Sequence, residues 1–287
     1  MRRMFLVCFL LGVPLPLLAQ APAKPSFMDA GVIQHGGTTG TLTANFPRPL
    51  MQAIEAISQE YGWTVDFEDP PYRSHFDLVD DTDATWRANH PNAKGVTRVS
   101  GGIFQSNFPE PSISSEGQVL QKLVSDYNSS SNPGKFIVRK ETEGRYAVIG
   151  VSRTDETGKD ETVSALLDTA ISIPTLQRDA TATLRLIVDT LAATTGVKVH
   201  LGTIGLSSDP LQDVQLTIGG SDVPARTLLL QAVDGASNSK LFRGVLVWNF
   251  LFDADMNVYW LRLRTATKTE TDANGKQVVR FIQRPRN

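Results

Sequence analysis

The densest concentration of groups able to do chemistry lies between positions 66 and 90. Asp66, Glu68, Asp69, His75, Asp77, Asp80, Asp81, Asp83 and His90 supply enough oxygen and nitrogen atoms for a metal centre. Their spacing argues against one. Asp77-Leu78-Val79-Asp80-Asp81-Thr82-Asp83 lacks the alternate carboxylates and central glycine of a calcium loop, and His75 and His90 fit no compact zinc signature. The stretch is therefore expected to be a structural or solvated acidic loop without a metal. Trp86 is expected to pin that loop to the body of the protein, with a stacking platform as the alternative. Tyr72, His75 and Trp86 stand as candidate contact residues of this loop.

Other catalytic signatures fail on context. Ser237-Asn238-Ser239-Lys240 has the Ser-x-x-Lys form of penicillin-recognising acyl enzymes, but it follows a helical pattern where those enzymes need it to begin one. The run ending Gly158-Lys159-Asp160 has no hydroxyl residue after its lysine, so it is no phosphate loop. No catalytic residue and no cofactor is assigned on this reading. His200 falls on the outward phase of a strand whose inward side is Val197, Val199 and Leu201, which makes it a surface histidine. The remaining unusual feature is apolar. Val245 to Phe252 is apolar at both strand phases apart from Asn249, whereas a strand wetted on one face alternates cleanly. One of its faces must pack on the first half of the chain, on a partner or second molecule, or on the C-terminal tail, where Val278, Val279, Phe281 and Ile282 could add a strand. Trp248, Phe250, Phe252 and Trp260 are accordingly candidate interaction residues.

The elements that would position these residues come in two sets. Leu42 to Phe46 reads as a strand, and Pro47 and Pro49 then open a helix with apolar positions Leu50, Ile54, Ile57 and Tyr61. Gly62 ends it, and Trp63, Val65 and Phe67 alternate as a strand. After an insertion from about 69 to 100 come a strand within Gly102 to Phe108 and a helix with Leu120, Leu123, Val124 and Tyr127 on its buried face. Ser115 and Gln118 have the spacing of a capping box at the start of that helix. A hairpin, Phe136 to Lys140 and Arg145 to Ser152, completes the set. A charged linker, Thr154 to Thr162, leads to the second set: strand Ile171 to Ile173, helix Leu184 to Thr195, strand Val197 to Leu201 and strand Val214 to Ile218. A helix capped by Ser221 or Asp222 and closed by Gly235 follows, then the hairpin Val245 to Phe252 and Val258 to Arg264.

The sets are in register. Leu50, Ile54, Ile57, Gly62, Trp63, Val65 and Phe67 recur 134 residues later as Leu184, Val188, Leu191, Gly196, Val197, Val199 and Leu201. The expected fold is α+β, two tandem β-α-β-β-α-β-β domains over 41–153 and 163–265, each with two helices packed against small mixed sheets. This order resembles the secretin and TonB short N-terminal domain, with Tyr61 to Phe67 and Thr195 to Leu201 as the helix-Gly-strand segments that carry the likeness. The resemblance implies a periplasmic module that contacts other proteins and holds no catalytic residues. The insertion is expected in one copy alone.

Composition bounds the rest. Arg2 and Arg3 precede an apolar run, Met4 to Leu18, with small residues at Ala19 and Ala21, so residues 1–21 are expected to be a secretory signal peptide. The run is broken by Pro14 and Pro16 and is short for a membrane span, so no transmembrane segment is expected in the mature chain. The sole cysteine, Cys8, lies in that segment, leaving a mature chain without disulfides that must rely on apolar cores. Removing Arg2 and Arg3 from 28 basic residues leaves 26 against 30 acidic ones, which disfavours nucleic acid. Residues 266–287 form a basic tail with Lys276, Arg280, Arg284 and Arg286. The favoured function is a non-catalytic protein-interaction module of a bacterial-type cell envelope complex, through a partner or self-association. The alternative is periplasmic binding of a small molecule, glycan or cation through the acidic insertion.

Overall fold

The computed structural model describes residues 31–110, 116–202, 211–242 and 244–283. The expected signal segment, Ser115 of the capping box, and Arg284 and Arg286 of the tail lie outside them. The fold is mixed α+β. Its first half contains β1 (Val32–Gly36), β2 (Thr39–Ala44), α1 (Pro49–Tyr61), β3 (Thr64–Glu68), β4 (Leu78–Asp80), α2 (Ala84–Asn89), β5 (Thr97–Val99), β6 (Phe104–Pro109), α3 (Glu116–Asn128), β7 (Lys135–Thr142) and β8 (Arg145–Thr154). A link containing β9 (Asp160–Thr162) and a one-turn 3-10 helix, Leu166–Asp168, follows. The second half contains β10 (Ala170–Asp179), α4 (Ala180–Thr195), β11 (Lys198–Leu201), β12 (Gln215–Pro224), α5 (Ala225–Ser237), β13 (Leu246–Asp253) and β14 (Val258–Thr265). The hairpin β15 (Thr267–Thr271) and β16 (Gln277–Phe281) closes the described chain.

Local chemistry sets the element ends. Proline opens α1, and Gly62 stops it in the left-handed conformation at φ 75°, its amide bonding Ser58 O. Gly196 does the same for α4 at φ 69°, while Asp179 accepts from the Ala182 amide at the other end. Two expectations are corrected here. The fifth helix begins at Pro224 rather than at a Ser221 or Asp222 cap, and Gly235 lies inside it rather than closing it. A Cβ at Gly235 would stand 2.8 Å from Leu216 Cδ2, so packing against β12 explains that glycine. β10 and β12 are also longer than the short runs expected. Pro174 and Gly219-Gly220 sit at irregularities within a ten-residue pair, and a Cβ at Gly219 would meet Thr175 N at 2.4 Å. The charged linker folds back, with Asp160 to Thr162 pairing Ser152 to Thr154.

The strand pairings match between halves. β2 pairs β6 and β10 pairs β12, both antiparallel. β3 runs parallel to β8 with Thr64 opposite Arg145, and β11 runs parallel to β14 with Lys198 opposite Val258. β7–β8 and β13–β14 are antiparallel hairpins. The two three-stranded sets then fuse into one sheet of order β11-β14-β13-β3-β8-β7, because β13 pairs parallel with β3 at Asn249–Phe67 and Phe250–Glu68.

Following the directions along that order, each strand of the second set points opposite to its counterpart in the first. The helices consequently lie on opposite faces. Val65 and Phe67 pack with α1 and α3 residues such as Ile57 and Leu120, whereas Val199, Tyr259 and Phe250 pack with α4 and α5 residues such as Leu191 and Leu229. Leu251 crosses into the first core, and Tyr72 and Val99 cross into the second.

This arrangement resolves the two-faced apolar strand. Trp248, Phe250 and Phe252 face α4 and α5, while Leu251 faces the first half. Val245 and Val247 pack with Ala266 and Ile282 of the tail. The tail strand itself pairs with β15 rather than with β13.

Candidate functional site

The joint between β3 and β13 is where the acidic residues of the sequence converge with basic ones. Alternation puts Val65 and Phe67 of β3 on the α1 side, which turns Asp66 and Glu68 toward the second half. Both carboxylates are fully buried. Arg145 donates to the two oxygens of Asp66 at 2.7 and 2.8 Å, and also to Leu246 O at 3.1 Å and Asp234 Oδ1 at 3.3 Å. Asp66 in turn accepts the Trp248 amide at 3.0 Å, extending the short ladder by a side chain. Glu68 pairs with Arg226 and accepts the Leu167 amide at 3.2 Å. Arg226 also donates to Asp168 at 2.7 Å, and its guanidinium stands 5.5 Å from the centre of the Trp248 ring.

One residue further, Asp69 accepts from Arg48 Nε at 2.7 Å and from the Phe252 amide at 3.1 Å, while its own amide donates to Phe250 O at 2.9 Å. Burial pushes the Asp66, Glu68 and Asp69 carboxyls above the ordinary carboxylate range, against the opposing pull of Arg145, Arg226 and Arg48. All three acids are thus spent on arginines and on the backbone of the joint. Their geometry holds two halves together.

The insertion is tied to both halves rather than standing free. Asp77 accepts the Thr154 amide at 2.8 Å and its hydroxyl at 2.6 Å. Thr97 donates its amide to Asp255 Oδ2 at 2.9 Å, reaching the β13–β14 turn. Asp80 binds Thr82 and Arg87, Asp81 pairs with Arg98 at 2.9 Å, and Asp83 caps α2 by accepting the Trp86 amide at 2.8 Å. Among the described residues, no group of three or more His, Cys, Asp or Glu side chains is placed to hold a metal ion.

The candidate contact residues divide sharply. Trp248, Phe250, Phe252 and Tyr72 are enclosed in the core, so they offer no docking surface; their packing inside the molecule is what their apolar area serves. Trp86 is 39% exposed and stacks on His90 with ring centres 4.8 Å apart. His75 is exposed, 3.8 Å from Glu156. Trp260 is half-buried on the sheet face opposite α4 and α5, beside exposed His200 at 5.2 Å between rings. It borders a groove of about 190 Å³ with Arg48, Arg98, Phe252, Asp255 and Arg262, and a hollow of about 320 Å³ with Arg185, Asp189 and His200. Neither includes Trp86.

Sequence reasoning missed Arg48, Arg145 and Arg226. The signal was available: carboxylates at 66 and 68 on a strand whose other face is apolar require buried bases, and the positions 134 residues on hold His200 and Gly202 instead. The two ends of the fused sheet are also exposed features. β7 at one end and β11 at the other each have one hydrogen-bonded neighbour in the sheet order.

Among the described residues, no helix is long and apolar enough to cross a membrane. Comparison with protein-family models, curated proteins and solved structures finds no match to this chain.

Proposed function

We propose that the chain is an exported, non-catalytic protein-interaction module of a bacterial-type cell envelope, built from two tandem units that resemble the secretin and TonB short N-terminal domain. The matching element order, the matching β3–β8 and β11–β14 pairings and the helix-ending glycines Gly62 and Gly196 support the duplication. The observation that carries the functional reading is the joint: the edge strand of one unit accepts a strand of the other, and the buried acids beside it are consumed in holding that contact. Strand addition at a sheet edge is a general mode of protein recognition. The open edges β7 and β11 are therefore the surfaces assigned to partners, in place of the buried aromatic residues. Capture of envelope proteins from the native membrane by the purified chain tests this, with Val138→Pro on β7 and Leu201→Lys on β11 as edge-blocked variants. Loss of a captured protein in either variant is expected, and identical capture by both variants and wild type contradicts the reading. Export is tested by the N-terminus of the protein recovered from the periplasm, expected near Ala19 to Ala21.

A second reading, binding of a small molecule or glycan, is favoured by the groove between β5 of the insertion and Trp260, where Arg48, Arg98 and Arg262 converge. A ligand that quenches fluorescence in wild type and not in Trp260→Phe would establish it.

A further inference from the structure

We propose that β11 of one molecule takes up β7 of a second copy in the same parallel register in which β3 takes up β13 within the chain. The inference rests on the interaction reading above and names its partner.

The correspondence follows from the pairings. Arg145 lies opposite Thr64 as Val258 lies opposite Lys198, so β8 corresponds to β14. Val138 opposite Val148 then corresponds to Phe250 opposite Leu261, so β7 corresponds to β13. The internal joint is thus a contact between a β7-type strand and a β3-type strand, and among the described residues the sheet ends in one strand of each type with a single hydrogen-bonded neighbour. The operation relating the halves keeps the strand order while reversing strand direction. It advances across the sheet, so repeating it extends the sheet instead of closing it, the property of a head-to-tail contact. Transferring the internal pairs places Ile137 opposite Leu201 and Val138 opposite Gly202 of the next copy.

The backbone is set for that register. At the joint, Phe250 O accepts from Asp69, and the Trp248 and Phe252 amides also face β3. The matching residues of β7 are Val138, Phe136 and Lys140. Asn128 donates to Phe136 O at 2.8 Å and accepts its amide at 2.9 Å, so this set faces away from β8; Asn128 fills the groups of Phe136 itself, which leaves those of Val138 and Lys140 to meet the next copy. On β11, the Gly202 amide donates to Leu261 O, which turns the Leu201 peptide groups to the open side. Ile137, an apolar residue on a sheet edge, is 46% exposed, and the contact covers it. The joint's acids have no counterpart here, since Asp66 and Glu68 correspond to His200 and Gly202. The contact between copies is therefore weaker than the internal one and dissociates on dilution.

The test uses the full chain with Cys8→Ser. Analytical ultracentrifugation over a wide concentration range is expected to show reversible association that Val138→Pro abolishes. The proline removes an outward amide and trims Val138 from the edge of the first core, so a modest fall in melting temperature with a folded chain is expected, and a cysteine pair reads the contact without that change. As a second route, Ile137→Cys combined with Leu201→Cys is expected to give a ladder of disulfide-linked multimers on mild oxidation, while Leu201→Cys alone gives none. A protein that stays monomeric at every concentration overturns the proposal, as does association that persists in Val138→Pro without a ladder from the double variant. Loss of envelope-protein capture in the edge variants, with the chain monomeric throughout, would overturn self-assembly alone and leave the interaction reading standing.

Discussion

Two strands that occupy the same place in their halves, β3 and β11, differ at the residues that matter most for assembly. Both alternate apolar residues toward their own helices, Val65 and Phe67 in one and Val199 and Leu201 in the other. On the opposite phase, β3 carries Asp66 and Glu68, fully buried and paired with Arg145 and Arg226, whereas β11 carries exposed His200 and is followed by half-buried Gly202. The shared positions build the scaffold. The unshared ones fall at the edge that β13 fills and at the edge that, among the described residues, has no second strand.

The largest effect expected from breaking this contrast is at Arg145. Arg145→Ala leaves Asp66 buried without its cation and should cost about 3–5 kcal/mol, read from urea melts. The paired change Asp66→Leu with Arg145→Met should recover most of that loss. A single-variant cost below about 1 kcal/mol would show that the joint is not held by this pair.

Ile57 and Leu191, 134 residues apart and both fully buried, sharpen the other side of the comparison. Each change to Ala should destabilise by about 2–5 kcal/mol, with similar size at the two sites because both face a packed sheet. A marked inequality would mean that the halves are not packed alike.

Within the insertion, the ends and the tip should behave differently. Asp77→Ala removes both bonds to Thr154 and should cost about 1–3 kcal/mol. Replacing 82–94 with a short Gly-Ser bridge should cost less than about 1 kcal/mol, since loop length weighs only slowly on stability. A deletion reaching back to Tyr72 would remove a core residue and is expected to unfold the second half's cluster.

The smallest effect is at His35, which ties β1 to Glu110 of the segment after β6 and to Glu60 of α1. Its pKa is raised above 6.5, chiefly by the hydrogen bond to Glu110. A raised histidine contributes stability that is complete below the unfolded value and is lost as pH rises through the folded one. His35→Ala should therefore cost below about 1 kcal/mol in mild acid and nothing at alkaline pH, as read from melts across that range.

What was legible in the sequence follows from how locally each feature is encoded. Helix α1 was readable because Pro49, a 3.6-residue apolar spacing and Gly62 all act within its own length. Strand β1 was missed because Val32 to Gly36 is exposed at nearly every position and leaves no alternation. The joint was invisible as a site because it pairs residues about 180 apart, Asp66 with Trp248 and Asp69 with Phe252. What the sequence does show of it is two-sided: acids on a buried strand, and apolar residues on both faces of β13. Those two anomalies satisfy each other.

The central claim, that β3 and β13 form a permanent edge-to-edge joint while β7 and β11 remain open, is tested most directly by amide hydrogen exchange on dilute protein. The amides of Asp69, Trp248 and Phe252 should exchange only through global unfolding, and those of Val138 and Leu201 should exchange much faster. Equal and rapid exchange at all five would contradict the joint.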